Sequence, residues 1–274
     1  MHSDEIGQPY RQFEHSGWER AASSYAGTFE AVSTLFVPPL LDAVDLFPGC
    51  KLLDAACGPG LIASLAASRG SEVMGVDFSA NMIAEAKKRN PSLSFKEADA
   101  EALPFRDGVF DIVVIGFGLH HFPFPARAIS EAHRVLRVGG RVGFTTWAPP
   151  EEHVMHRIVV GAIREVGDTA AALPIAPGGA VNDLSVCAGL LKAAGFDAAT
   201  VSTEIIKTHV RIDSARHLMD MLIAGTVRLS TTLRAQPKEK TAAIRAAIDR
   251  EMSPYRHGDH FRFPVAAILA VAVK

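Results

Sequence analysis

A short apolar run, Lys51-Leu-Leu-Asp54-Ala-Ala56, breaks directly into Cys57-Gly58-Pro59-Gly60. A helix-like stretch follows from Leu61 to Arg69, then a second apolar run from Glu72 to Val76, then the carboxylate Asp77. Strand, glycine turn, helix, strand and acid in that order describe a βαβ nucleotide-binding unit. Gly58 and Gly60 let the backbone turn sharply and approach a ligand with no Cβ in the way, and the helix N-terminus points donors into the same space. A carboxylate at the end of the second strand can accept hydrogen bonds from both hydroxyls of a ribose. The segment therefore predicts a nucleoside-containing cofactor.

A dinucleotide fold asks for Gly-x-Gly-x-x-Gly, and here Ala56 and Ala63 stand at the first and third glycine positions. The spelling Leu53-Asp-Ala-Ala-Cys-Gly-Pro-Gly60 instead resembles motif I of the class I S-adenosylmethionine-dependent methyltransferases, in particular the small-molecule branch of the ubiquinone and menaquinone biosynthesis enzymes. Val76-Asp77-Phe78-Ser79 with Met82 and Ala86 is similar to the second motif, and Phe95 to Phe105, with Asp99 and Ala100, to the third. Phe110 to Phe122, which contains Gly116, Phe117, His120 and His121, resembles the fourth strand and the loop facing the reacting methyl, and Ala132 to Phe144 the helix, turn and strand that close the core. Ordered motifs cover roughly Leu52 to Trp147.

The resemblance implies S-adenosyl-L-methionine as cofactor, held by Asp54, Ala56, Cys57, Gly58, Gly60, Asp77, Phe78, Met82, Asp99, Ala100, Gly116 and Phe117. In this picture Asp77 takes the ribose, apolar neighbours cover the adenine, and Asp99 with the Ala100 backbone receives the adenine amino group. N-terminal helices fold over the cofactor in resembling enzymes and often bring an aromatic ring to the sulfonium. Tyr10, Trp18 and Tyr25 are the candidates, since an aromatic face attracts a positive sulfur, and Tyr25 is preferred.

The expected fold is α/β, a Rossmann-like doubly wound, mostly parallel sheet of seven strands. Strands are read at Leu93 to Lys96, Phe110 to Ile115 and Arg141 to Thr146, with a helix at Pro125 to Leu136 whose Ile129, Ala132, Val135 and Leu136 share one face. Phe196 to Lys207 and Phe261 to Val273 supply the last two strands, the last antiparallel by resemblance. Residues 1–47 read as an N-terminal helical lid, with helices over Trp18 to Val32 and Leu35 to Leu46 redirected by Pro38 and Pro39. Residues 48–274 read as the cofactor-binding domain, with helical cap segments at about 149–185 and 211–259. Within the second segment, helices are expected over Ser214 to Leu229 and around Ile244, Ile248 and Met252.

With 274 residues, 48% of them hydrophobic and 21% charged, the chain can bury a sizeable core. A net charge of −2 and the lack of a basic stripe with interleaved aromatics argue against a nucleic-acid partner. The charged first thirty residues hold no signal-peptide run, and the longest apolar stretch, Phe263 to Val273, is too short to span a bilayer. No membrane partner and a cytoplasmic location are expected. Cys50, Cys57 and Cys187 read as free thiols, and the oligomeric state is not legible.

A methyl sulfonium is already activated, so the chemistry asks mainly for a nucleophile held in line and, where that nucleophile carries a proton, for a base. His121 and His120 are the candidate bases, one of the two facing the pocket and the pair equally compatible with a structural role in the loop. Tyr25 completes the catalytic candidates. His257, Asp259 and His260 match no zinc spacing, so no metal is expected, and His153 and His156 either line a substrate pocket or face solvent. The leading reading is methyl transfer to O, N or C of a small, cyclic or aromatic metabolite, quinone and secondary metabolism both being represented in the family. The alternatives are a noncatalytic S-adenosylmethionine-binding regulator and a nicotinamide-dependent oxidoreductase.

Overall fold

The computed structural model describes residues 3–25, 27–170, 173 and 175–274. Three helices lead: α1 (Ser3–Tyr25), α2 (Glu30–Thr34) and α3 (Val37–Ala43). Strands and helices then alternate: β1 (Lys51–Ala55), α4 (Leu61–Ser68), β2 (Glu72–Asp77), α5 (Ala80–Arg89), β3 (Ser94–Glu97), β4 (Phe110–Gly116), α6 (Pro125–Val135) and β5 (Leu136–Trp147). After α7 (Val154–Val166) and α8 (Leu184–Ala193) come β6 (Ser202–Ile212), α9 (Ala215–Gly225), α10 (Arg228–Arg234), α11 (Thr241–Met252), β7 (Arg256–His257) and β8 (His260–Val273).

The sheet runs β3-β2-β1-β4-β5-β8-β6, with β7 paired to β8 off this path. The pairs β1/β2, β1/β4, β2/β3 and β4/β5 are parallel, and β8 is antiparallel to both β5 and β6. This is the expected doubly wound sheet with its last strand reversed. Its central strands are buried on both faces: Leu53, Val113, Ile115 and Phe144 pack with α6 and α8, while Leu52, Ile112 and Val114 pack with α3 and α4. That two-sided burial is why β1 and β4 read as continuous apolar runs rather than alternating ones.

Several boundaries differ from the sequence reading, each for a local reason. The first helix covers Ser3–Tyr25 rather than Trp18 to Val32, and Gly27 at φ +90° redirects the chain before α2. Pro38 and Pro39 fall in the first turn of α3, where a missing N–H costs nothing, so they open a helix rather than redirect one. The span expected as one helix from Ser214 to Leu229 breaks after Gly225, where a Cβ would stand 2.1 Å from that of Phe29. The strand expected from Phe196 starts at Ser202, because residues 197–200 form a turn closed by the Asp197 carboxylate and carbonyl.

Helices α7, α9, α10 and α11 gather on one end of the sheet. Val159, Leu218, Ile248 and Met252 form a core that also takes Val32 and Phe36 from the N-terminal helices and Phe261 and Phe263 from β8. Among the described residues no helix is long and apolar enough to cross a membrane. Because these helices share one core with the sheet edge, Ile248→Ala is expected to lower the stability of the whole chain by about 2–5 kcal/mol. Urea unfolding followed by both far-ultraviolet dichroism and tryptophan fluorescence checks this, and loss of α11 signal ahead of the sheet would contradict the shared core.

Candidate active site

The carboxyl end of β1 enters a left-handed turn, with Ala56 at φ 59°, Gly58 at φ 51° and Gly60 at φ 84°. For Ala56 that conformation costs about 1–2 kcal/mol, and neighbouring strands hold it in place. Cys57 N–H donates to the Val76 carbonyl at 2.9 Å, and Gly58 N–H to Asp77 Oδ2 at 2.9 Å. Asp77 Oδ1 accepts from Ser79 N–H at 2.9 Å, so one carboxylate ties the β1 turn to the start of α5. Burial pushes the Asp77 carboxyl up to about 6, against the two backbone N–H groups that hold it down. Asp54, fully buried, accepts from Ala63 N–H at 3.0 Å through Oδ2 and has no partner for Oδ1 among the described residues. Burial lifts it further, to about 8.

Helix α1 lies across the carboxyl ends of these strands. Arg11 pairs with Asp99 and Glu101, Glu14 Oε2 stands 2.8 Å from His121 Nδ1, and Tyr10 Oη donates to the His120 carbonyl at 2.8 Å. Asn81 donates from its backbone and side chain to Glu19, and His15 meets the edge of the Phe78 ring at 5.3 Å. Glu14 is 0% exposed, so the His121 ring is held against a buried carboxylate.

Between α1, the strand ends and the helices after β5 lies a cavity of about 560 Å³, within the range of small-molecule sites. One end is walled by Ala56 to Pro59, Asp77, Phe78 and Met82. The other holds Phe29, Phe36, Phe117 and Trp147, with ring contacts of 4.2 to 6.3 Å among Phe36, Phe117 and Trp147. Phe117 itself sits at φ 53°, a strained position that swings its ring into this group. His120, His121, His153 and Arg228 also line the cavity.

Of the residues singled out by sequence, Ala56, Cys57, Gly58, Asp77, Phe78, Met82, Gly116, Phe117, His120, His121 and Tyr25 line this one cavity. Asp54, Gly60, Asp99 and Ala100 stand outside its lining. Both oxygens of Asp99 are engaged, one by Arg11 and one by the Glu101 N–H. Tyr25 Oη lies 3.0 Å from Ser33 Oγ, and burial raises its hydroxyl to about 12. The adjacent histidines face different neighbours: His121 meets Glu14, Trp18 and the field of Asp77, while His120 is in the field of His153 and Arg228. Burial holds His120 well below the ordinary imidazole range. His257, Asp259 and His260 form the tip of the β7–β8 hairpin, and no cluster of three metal-ligand side chains occurs among the described residues. Sequence reasoning missed Arg11 and Glu14, whose partners lie about a hundred residues away in the chain and carry no local signal.

Residues 53–144 match a protein family described as a methyltransferase domain. The chain is 45% identical over 116 residues to a demethylmenaquinone methyltransferase of Beutenbergia cavernae, a match covering 40% of this chain and 48% of that protein. The chain thus spans about half the length of the curated relatives it matches. Among solved structures, the YcgJ protein of Bacillus subtilis superposes with TM-score 0.56 at 22% identity, over 87% of this chain and 97% of that one. The (4+2)-cyclase SpnF superposes with TM-score 0.55 at 20% identity, over 99% and 96%. These structural likenesses establish the Rossmann-like fold. The family match, with the quinone-methyltransferase relative, bears out the resemblance to class I S-adenosylmethionine-dependent methyltransferases and gives the nicotinamide reading no support.

The buried carboxyls imply a pH dependence of defined sign. The Asp54 carboxyl rises from 3.8 to about 8 on folding, so it favours the folded state below about pH 4 and that contribution is lost as pH rises through 8. Replacing it by Asp54→Asn, which keeps an acceptor for Ala63 N–H, is expected to flatten the fall in melting temperature of the ligand-free protein between about pH 4 and 8. Parallel pH–melting curves for the two proteins would refute the assignment.

Proposed function

We propose that this chain, whose core is a methyltransferase domain, transfers the methyl group of S-adenosylmethionine to a small cyclic or aromatic acceptor. The observation that carries the reading is the continuity of one cavity from the glycine turn to the aromatic chamber, so that two ligands can meet beside Gly116 to His121.

The residues present suit the nucleoside end. A Cβ built on Gly58 meets nothing within 4 Å, which leaves the turn open toward a ligand lying along it. Asp77 accepts ribose hydroxyls with lone pairs left over from its two backbone bonds, while Phe78 and Met82 supply an apolar cover. Asp99 and Ala100 are assigned to the adenine edge as the resemblance implies, with Arg11 sharing the Asp99 carboxylate. Tyr25 and Trp18, which line the cavity with their rings edge to face at 5.6 Å, are assigned to the sulfonium side.

When bound, S-adenosylmethionine supplies an electrophilic methyl carbon whose bonding pair leaves with sulfur. The protein's part is to orient and to exclude water. The aromatic chamber of Phe29, Phe36, Phe117 and Trp147 holds a flat acceptor, and proximity alone is worth about 7–11 kcal/mol in favourable geometry. Of the two histidines, His120 is assigned to the acceptor side. His121 is assigned to holding α1 through Glu14 and to the cofactor side near Asp77. Residues 1–47 act as the lid, residues 48–274 as the cofactor-binding domain, and segments 149–185 and 211–259 as the cap that closes the chamber. The three buried thiols, Cys50, Cys57 and Cys187, accord with a cytoplasmic setting.

S-Adenosylhomocysteine at about 100 times its dissociation constant is expected to stabilise the protein by roughly 2.7 kcal/mol, read as a rise in melting temperature. Asp77→Ala is expected to weaken that binding at least about tenfold in calorimetry, since hydrogen bonds to a charged group are lost. Incubation with methyl-labelled S-adenosylmethionine and a fractionated cell extract, followed by mass analysis, identifies the acceptor. Binding without any transferred label would favour the noncatalytic alternative.

A further inference from the structure

Helix α1 contributes Tyr10, Trp18 and Tyr25 to the cavity's lining, and charged side chains fasten it to the loops that carry the site. Arg11 meets Asp99 and Glu101 after β3, Glu14 meets His121 after β4, and Glu19 meets Asn81 at the start of α5. Ion pairs between parts of a chain are screened by salt and cost desolvation to form, so they hold less firmly than an apolar seam of the same size. A cavity wall fastened in this way can part from the loops while the sheet beneath stays intact.

The Arg11 contact differs from the other two because one guanidinium bridges two carboxylates. Asp99 Oδ2 and Glu101 Oε2 each accept from a different nitrogen of Arg11. The remaining oxygens are tied to backbone, Asp99 Oδ1 to the Glu101 N–H at 2.8 Å and Glu101 Oε1 to the Phe124 N–H at 2.6 Å. The Glu101 side chain is 3% exposed, against 26% for Arg11 and 33% for Asp99, so the acid is fixed in the loop and the cation arrives with the helix. Burial lifts the Glu101 carboxyl, and Arg11 is the foremost charge opposing that rise. With α1 displaced, two carboxylates two residues apart in the chain would lose the cation between them. The planar fork of arginine can serve both at once, whereas an ammonium is a point charge.

Resting on the methyltransferase reading and its assignment of Asp99 to the adenine edge, we propose that Arg11 is a positioning residue: by bridging Asp99 and Glu101 it holds α1 closed over the nucleoside and sets how fast the nucleoside leaves. A carboxylate oxygen has lone pairs enough for both a guanidinium and an adenine amino group. Arg11 orients Asp99 for the adenine, and a bound adenine orients Asp99 for Arg11. Each therefore favours the other by the same factor. The effect falls on departure more than on arrival, because the bridge closes after the ligand is seated.

The test follows S-adenosylhomocysteine binding to the tethered protein by surface plasmon resonance. R11A is expected to raise the dissociation rate at least about tenfold while the association rate stays within about threefold of wild type. R11K, which keeps the charge and loses the fork, is expected to fall between the two. Raising sodium chloride from about 0.05 to 0.5 M is expected to speed dissociation from the wild type, and R11A to lose at least about half of that dependence. A helix-packing role without the charge bridge would move neither the salt dependence nor the R11K order. Amide exchange over residues 3–25 in the ligand-saturated protein is expected to be at least about tenfold faster in R11A. An R11A dissociation rate within about twofold of wild type, an unchanged salt dependence, or R11K releasing ligand as fast as R11A each overturns the proposal. Should R11A not fold, E101Q decides: its amide oxygen keeps the Phe124 N–H bond without the charge, and dissociation as slow as wild type overturns the proposal. Failure of the wild type to bind S-adenosylhomocysteine would instead sink the methyltransferase reading beneath it.

Discussion

The site hangs on one buried carboxylate. Asp77 receives the Gly58 amide from the β1 turn and the Ser79 amide from the start of α5, so the loops after two adjacent strands are held at fixed separation. Without that clamp, Ala56 would have little reason to keep a left-handed conformation that costs it free energy. The arrangement leaves no room on the far side: a Cβ on Gly75 would fall 2.5 Å from Phe95 and 3.0 Å from Cys57. Backbone strain, a buried charge and an obligatory glycine are thus coupled within a few ångströms, each tolerable because the sheet beneath is rigid.

Much of this was legible in the chain itself, because it is written in local spacing. The alternation of apolar runs and helical faces from Lys51 to Trp147 specifies parallel strands, and the glycine turn followed by Asp77 specifies the loops that wall one end of the cavity. Most of the residues singled out in that core, though not Asp54, Gly60, Asp99 or Ala100, fall around one cavity because they sit at the carboxyl ends of adjacent parallel strands. What escaped were contacts between distant segments. Arg11 with Asp99, Glu14 with His121, and Gly225 against Phe29 arise from packing of the first helix and the cap on the core, and no periodicity announces them. Helix boundaries in the lid failed for a related reason: Pro38 and Pro39 can end a helix or begin one, and only the tertiary path decides.

The histidine pair shows how a motif and its surroundings divide the labour. His120 and His121 are neighbours in sequence with ring centroids 3.9 Å apart, yet one is bonded to a carboxylate from the N-terminal helix and the other is turned toward the cap. A sequence can state that two imidazoles follow the fourth strand. The division between them is made by α1 on one side and by the segment carrying His153 on the other.

The core that joins α7, α9, α10 and α11 to β8 and to Val32 and Phe36 has a consequence for how such a chain can diversify. Its aromatic chamber is not a detachable module resting on a finished scaffold. Its walls are the same side chains that seal the sheet's reversed edge and anchor the leading helices. Grafting the helices after β5 from a relative would therefore transplant half a hydrophobic core, and a single exchange at a chamber wall is felt in the packing behind it unless it conserves volume.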